Sequence, residues 1–478
     1  MIIHSYVPSD LLIGTMFPLP KVRGLTSASD KYRAITLSSC VLKLLDLLIL
    51  SEDAPCMEKD ILQFGFKSNS STTLCTTAFY ETCELFMENK SYVYSLLLDA
   101  SKAFDCVNYS KLFRILIEKG INRALVRILL ELYTKQKLRV NWQNYVSEEF
   151  SVTNGVRQGG VLSPILFGLY LDVLISRLRQ SGHGCYIGPH FVGALAYADD
   201  IVLLSPTKTG LKNLAQVCED FSKEFNLLFN GSKSQYCVFR TNTTRNSQTT
   251  FTFSGTTLHE SASVTHLGHT IFCNRKNHNI DGIIGSFYKQ YHMFKSMFGG
   301  IPSSVQAELF HKHCSSFYGC LLLPFDSCMG KLSVTWRKAI RQVWKLPYRT
   351  HCCVIRGLTS GLCDIHMFIS RCLKFILNAV NANTNVISLL FRLSLETPGT
   401  ILARNMSYCM KILCVNMNSL QREDVTFLVR RKCTDECRPD IYTSRAVIDI
   451  CNQRDGMAEC GPFTNDETIT FINELCLN

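Results

Sequence analysis

Residues 194–205, ALAYADDIVLLS, set two adjacent carboxylates between two apolar runs, each of strand length. Unpaired charge is expensive to bury, so such a pair belongs at the tip of a β-hairpin, with Asp199 and Asp200 at the turn. A plain polar turn accounts for the dipeptide alone. A third carboxylate alters the balance: Asp99 closes another apolar run, YVYSLLLDA. Strand ends of one sheet converge, and carboxylates gathered from two strands repel one another unless cations neutralise them. Hard oxygen donors that retain water suit Mg²⁺, and two such ions about 4 Å apart activate an attacking hydroxyl while stabilising a leaving pyrophosphate.

The surrounding pattern is that of a mixed α/β region. Between about residues 90 and 240, strand-like runs alternate with amphipathic helices. In NRALVRILLELYTKQ the apolar residues Leu125, Ile128, Leu129 and Leu132 share a helical face, and KLRVNWQNYVSEEFSV reads as a polar-tipped hairpin. LSPILFGLYLDVLISRLRQSG predicts a helix with Ser163 as N-cap, Pro164 at the first helical position and Gly182 as the stop. TNTTRNSQTT (241–250) predicts a loop tip and NANTNV (381–386) a connector. Beyond about residue 275 the pattern turns helical, most clearly in SSVQAELFHKHCSSFYGCLLLPF and VTWRKAIRQVWKLP.

Composition narrows the class. A chain of 478 residues with 46% hydrophobic content buries real cores, and 50 Lys and Arg against 39 Asp and Glu give a net charge of +11, which favours a polyanionic partner without naming one. The 23 cysteines are odd in number and scattered, unlike the framework of a small secreted domain, and are read as reduced and buried. The start, MIIHSYVPSDLLIGTMFPLPK, is interrupted by Asp10 and by prolines and is a poor signal peptide. VLKLLDLLIL is too short to cross a bilayer. The expectation is an intracellular protein with no membrane segment.

Three segments, in this order and spacing, carry a family resemblance: LLLDASKAFDCVN, NGVRQGGVLSPILF and YADD. Together they resemble the palm motifs of reverse transcriptases, most nearly those of non-LTR (LINE-type) retrotransposons. PLPKVRGLTSASDKYRAITL resembles the fingers segment, QFGFKSNSSTT the template-contacting segment, FNGSKSQYCVF the lysine-bearing motif after the catalytic hairpin, VTHLGHTI the primer-grip strand, and WRKAIRQVWKLPYRTH the helical part beyond the thumb. The likeness fades after about residue 360. It implies an α/β (α+β) fold: a right-hand polymerase palm and fingers with an antiparallel sheet over residues 1–275, a helical thumb-like region over 276–360, and a C-terminal helical extension over 361–478. The chain begins almost at the fingers motifs, so the resemblance implies a protein lacking the endonuclease domain that precedes the polymerase in related elements.

Carried over residue by residue, the resemblance makes Asp99, Asp199 and Asp200 the metal-binding carboxylates, with the Ala100 backbone carbonyl as a further ligand for two Mg²⁺ ions, Mn²⁺ being the substitute. Phe104 matches the aromatic under the incoming sugar, which excludes a 2′-hydroxyl and favours dNTPs. Gln158 and Gly159 match the element packed on the nascent base pair; Arg33 and Lys21 match basic residues gripping the triphosphate. Lys233 matches the lysine that protonates pyrophosphate, and His266, Leu267 and Gly268 match the strand positioning the primer end. Taken singly, Phe104 reads as core packing and Arg33 and Lys21 as solvated charges.

An RNA template, a DNA primer and dNTP substrates are the implied partners. Two alternatives stand beside this reading: a nucleic-acid-binding remnant without activity, and a group II intron-type enzyme. Trp336, Ile340, Val343 and Trp344 form an apolar stripe, so the tryptophans are read as core, while Arg337, Lys338, Arg341 and Lys345 form a basic face able to track phosphates. Neither Cys433, Cys437, Cys451 and Cys460 nor HCC with Cys363 and His366 has convincing zinc spacing. Insertion into a chromosome implies nuclear access, although RRK (430–432) is short for an import signal.

Overall fold

The computed structural model describes residues 1, 4–21, 31–143, 145–241, 249–350, 355, 364–382 and 385–413. The chain divides into two compact units, Met1–Gly268 and His269–Asn478. The sequence-predicted zinc candidates Cys433, Cys437, Cys451, Cys460 and Cys363, and the RRK segment, lie outside the described residues.

The centre of the first unit is a four-stranded antiparallel sheet in the order Gln235–Phe239, Val93–Leu98, Asp200–Ser205, Ala194–Tyr197. Its strands are buried along nearly their whole length rather than on alternate residues. Sheets covered on both faces read as continuous apolar runs, which is why LLL and IVLL show no alternation. Helix Lys208–Phe225 packs on Val93–Leu98 and Asp200–Ser205, while helices Thr72–Glu88 and Ser163–Gln180 pack against Ala194–Tyr197. At the starts of Thr72–Glu88 and Lys208–Phe225 a side chain takes up one free amide: Ser71 Oγ accepts from the Leu74 N–H (3.1 Å) and Thr207 Oγ1 from the Gly210 N–H (3.0 Å).

A second sheet is built on Ile13–Pro20, antiparallel to Tyr32–Leu37 and parallel to Lys137–Trp142. Lys137–Trp142 turns back on Tyr145–Val146 and also pairs with Phe150–Ser151, the expected hairpin. The helix over Arg123–Thr134 buries Leu125, Ile128, Leu129 and Leu132 as its spacing predicts.

One local expectation is corrected. Ser163 is the first residue of its helix, not the cap, and Pro164 follows it within the first turn; the N-cap is Leu162, whose N–H donates to Asp46 Oδ2 (3.3 Å). A carboxylate 116 residues away in sequence thus takes up an amide at this helix end, which a local capping rule cannot foresee.

In the second unit, helices Ile280–Phe298, Ser303–His313, Phe325–Val343, Asp364–Asn381, Val386–Glu396 and Ile401–Leu413 follow one another. Phe287 stacks on Phe317 (4.3 Å between centroids), and Tyr291, Phe310 and Trp336 surround them. Trp336 and Trp344 are both buried, as the stripe predicts. The basic residues on that helix are partly committed internally: Arg337 pairs with Asp364 (3.5 Å), and Arg341 donates twice to the Thr350 carbonyl (3.1 and 2.9 Å). Among the described residues no single helix is long and apolar enough to cross a membrane; Val386–Glu396 and Ile401–Leu413 reach that length only as a pair bent by 62°. The described cysteines are free thiols and most are buried.

Candidate active site

The hairpin at one edge of the first sheet turns through Ala198 and Asp199, so Tyr197 pairs with Asp200. Next to it, Leu98 pairs with Ile201, and extending that register by one residue sets Asp99 opposite Asp200. Three carboxylates therefore leave one end of the sheet from adjacent strands. Burial pushes Asp199 above the ordinary carboxylate range, with Asp99 adding to the rise and Arg33 opposing it. Burial raises Asp200 to about 6, reinforced by the charges of Asp199 and Asp99. Among the described residues no three His, Cys, Asp or Glu side chains close tightly enough to hold an ion as they stand. The carboxylates nevertheless form an all-oxygen donor set under mutual repulsion, the chemistry that a hard divalent cation relieves.

That repulsion has a measurable sign. A carboxyl whose folded pKa lies above its unfolded value penalises the fold above about pH 6, and the penalty is relieved as pH falls through 6 toward 3.8. Asp200→Asn is expected to raise the melting temperature of the metal-free protein at pH 7.5 by ~1–3 °C, a small gain because solvent reaches the side chain, and to give no gain near pH 4. Parallel thermal melts at the two pH values check it; equal shifts at both would mean that packing, not charge, is responsible.

The other predicted site residues gather around this end in part. Lys233, in the turn before Gln235–Phe239, stands 3.8 Å from Asp99 Oδ2. The chain around Asp99 is pinned by the Asn230 N–H donating to the Asp99 carbonyl (2.8 Å), and Ala100 bridges to Phe229. Phe104 stacks face to face on buried Phe167 (4.5 Å, 19°) and meets the exposed ring of Phe66 edge-on (6.4 Å). The loop carrying Gln158 is tied to it, because the Val156 N–H donates to the Phe104 carbonyl (2.8 Å) and Gln158 Nε2 donates to Asp105 Oδ1 (3.1 Å). Gly159 allows the same loop to close on the second sheet: at φ 116°, a Cβ there would stand 2.7 Å from the Thr36 carbonyl oxygen. Arg33 lies on Tyr32–Leu37, near enough for its charge to act on Asp199. Lys21 follows Ile13–Pro20, and its charge acts on Asp105. His266 is buried, with Nδ1 2.9 Å from Thr76 Oγ1.

Two residues here escaped the sequence reading as individuals. Asp105 holds the Gln158 amide, and Gln63 reaches the Ala198–Asp199 turn itself. Both lie inside quoted motifs, DASKAFD and QFGF, but their partners are 53 and 135 residues distant.

A sheet end with three converging carboxylates, flanked by a lysine and a stacked aromatic, defines the polymerase palm class. The family model described as "Reverse transcriptase (RNA-dependent DNA polymerase)" matches residues 20–271, just over half of the chain, and the chain belongs to that family. A divalent metal cofactor goes with the family. The chain is 36% identical over 136 residues to the Retrovirus-related Pol polyprotein from type-2 retrotransposable element R2DM of Drosophila melanogaster, covering 28% of this chain and 13% of that protein. It is 26% identical over 239 residues to an R2 Pol polyprotein of Popillia japonica (49% and 33%), and 23% identical over 251 residues to the RNA-directed DNA polymerase from mobile element jockey of Drosophila melanogaster (50% and 27%). It thus spans a third or less of the length of these relatives. Among solved structures, telomerase from Candida albicans is similar at 10% identity with a TM-score of 0.41, covering 88% of this chain and 67% of that one.

Proposed function

We propose that the chain is an RNA-directed DNA polymerase of the non-LTR retrotransposon type, extending a DNA primer on an RNA template from dNTPs. The observation that carries this reading is the register that sets Asp99 beside the Asp199–Asp200 turn within the span matched by the family. In the reaction the primer 3′-hydroxyl oxygen gives up its proton to solvent and bonds to the α-phosphorus, the bond from that phosphorus to the bridging oxygen breaks, and pyrophosphate leaves.

Asp99, Asp199, Asp200 and the Ala100 carbonyl are the residues that would hold two Mg²⁺ ions. Bound there, such ions supply positive charge to the attacking and leaving oxygens of an in-line displacement. Lys233 carries a proton on Nζ for the leaving pyrophosphate, a role supported by its place beside Asp99. Arg33 and Lys21 bind the triphosphate, and Gln158 and Gly159 lie against the new base pair. A compartment with access to the chromosome follows from the same reading.

Phe104 selects the sugar in this proposal, and its stacking on Phe167 leaves the ring little freedom to yield. Phe104→Val is expected to raise ribonucleotide relative to deoxyribonucleotide incorporation by roughly 10–100-fold, the range one steric contact provides. Comparing kcat/KM for rUTP and dTTP checks this; an equal fall for both would assign Phe104 to packing alone.

The reading as a whole is tested by primer extension on poly(rA) with an oligo(dT) primer in Mg²⁺ or Mn²⁺. Incorporation by the folded chain supports it. Template binding without any incorporation would replace it with an inactive, nucleic-acid-binding member of the family.

A further inference from the structure

The turn that carries Asp199 is built on an unexpected residue. Tight hairpins place glycine where φ is positive, yet here Ala198 sits at φ 55°. A side chain disfavours that conformation, so the hairpin is not self-sufficient and something beyond it must hold the turn.

The segment Leu62–Gly65 lies alongside Ala194–Tyr197. The Ala196 N–H donates to the Leu62 carbonyl (2.9 Å) and the Phe64 N–H donates to the Ala196 carbonyl (2.8 Å), a short parallel pairing on the edge of the catalytic hairpin. From this segment the wholly buried Gln63 side chain extends to the turn. Its Oε1 accepts from both the Ala198 N–H (3.0 Å) and the Gly65 N–H (2.9 Å), and its Nε2 faces the Ala198 carbonyl at 3.5 Å. The fit depends on Gly65, where a Cβ would stand 2.3 Å from the Ala198 nitrogen.

We propose that Gln63 is a positioning residue for catalysis: its buried carboxamide clamps the Ala198 backbone and so fixes the directions in which Asp199 and Asp200 present their carboxylates, with Gly65 providing the space the clamp requires. A hydrophobic core position would need no amide. A carboxamide that meets the N–H and faces the carbonyl of the single left-handed residue between Tyr197 and Asp199 acts on the turn specifically. The inference rests on the polymerase reading for its kinetic consequence, but not for its structural one.

The test pairs Gln63→Met, which keeps the bulk and removes the acceptor, with Gly65→Ala, which drives a methyl group into the turn. Each is followed by steady-state kinetics, template–primer binding, thermal melting, and amide exchange of the peptide spanning residues 194–205. In both variants kcat is expected to fall roughly 30–300-fold, the scale of an ångström-sized misplacement, while KM for dTTP and template–primer affinity stay within about threefold. Exchange at the turn is expected to quicken about tenfold or more as the Ala198 amide loses its partner. Adding Ala198→Gly to Gln63→Met is expected to recover about tenfold in kcat, since glycine holds the turn without the clamp.

Unchanged kcat and unchanged turn exchange in a folded Gln63→Met protein would overturn the proposal. So would a loss of kcat, affinity and melting temperature together with no rescue by Ala198→Gly, which is the pattern of general packing. If Gln63→Met does not fold, Gly65→Ala decides alone, normal kcat and turn exchange there counting against the clamp. A wild-type chain without incorporation removes the polymerase reading, while the exchange comparison still judges Gln63.

Discussion

Asp199→Asn is expected to lower nucleotide incorporation by about 10³-fold or more while leaving template–primer affinity within a few fold. The substitution preserves size and the capacity to occupy the turn, so the hairpin from Ala194 to Ser205 stays paired. It removes one of three negative charges that converge on one end of the sheet. Under the proposed function, several kcal/mol of charge stabilisation in the transition state would depend on cations held there, and each 1.36 kcal/mol is a factor of ten in rate. Under the same proposal nucleic acid is held through phosphate contacts to basic side chains and not through this carboxylate, so its salt dependence is expected to match the wild type. Burial and repulsion by Asp99 hold the Asp199 carboxyl above its ordinary range, so removing its charge is expected to relieve the metal-free fold, and an unchanged or raised melting temperature separates lost chemistry from unfolding. Primer extension, filter binding at several salt concentrations and a thermal melt decide the matter together. Residual incorporation within tenfold of wild type would mean that Asp199 is a turn residue and nothing more.

The parts of this site that the sequence discloses are those encoded by short-range rules. Strands buried on both faces leave unbroken apolar runs, and a carboxylate ending such a run is conspicuous; Asp99 and the Asp199–Asp200 pair are legible for that reason. The antiparallel partnership that brings them together is not written in either segment, and here the family resemblance supplied what periodicity could not. Gln63 lies in the QFGF motif, yet its partner is fixed by a parallel bridge to Ala196 that no local pattern announces. Ser163 fails as a cap for the same reason, since the adjacent Leu162 amide is taken by Asp46 from a distant helix. The basic face of Phe325–Val343 was legible as a charge pattern, whereas the engagement of Arg337 by Asp364 and of Arg341 by the Thr350 carbonyl was not. Tertiary partners claim side chains that a helical wheel assigns to solvent.

Trp336 bears on what that helix is for. Its ring is almost completely buried, packs near Phe310 and His311, and its Nε1–H donates to Ser315 Oγ (3.3 Å), itself buried. Trp336→Ala therefore leaves a cavity in an aromatic core and an unpaired hydroxyl beside it. The expected loss is about 3–5 kcal/mol of stability for the helical unit, with Trp336→Phe losing less because most of the volume returns. Urea titration followed by far-ultraviolet circular dichroism measures it. A base-stacking platform predicts the reverse: an exposed ring whose removal spares stability and weakens template affinity by about 1–3 kcal/mol. Arg337, on the same helix, turns inward to a nearly buried Asp364 carboxylate, an arrangement suited to a helix that builds its own unit rather than one that offers an open face to nucleic acid. If Trp336→Ala instead melts like the wild type and binds template poorly, the apolar stripe has been assigned to the wrong partner, and the helix belongs to the nucleic-acid surface.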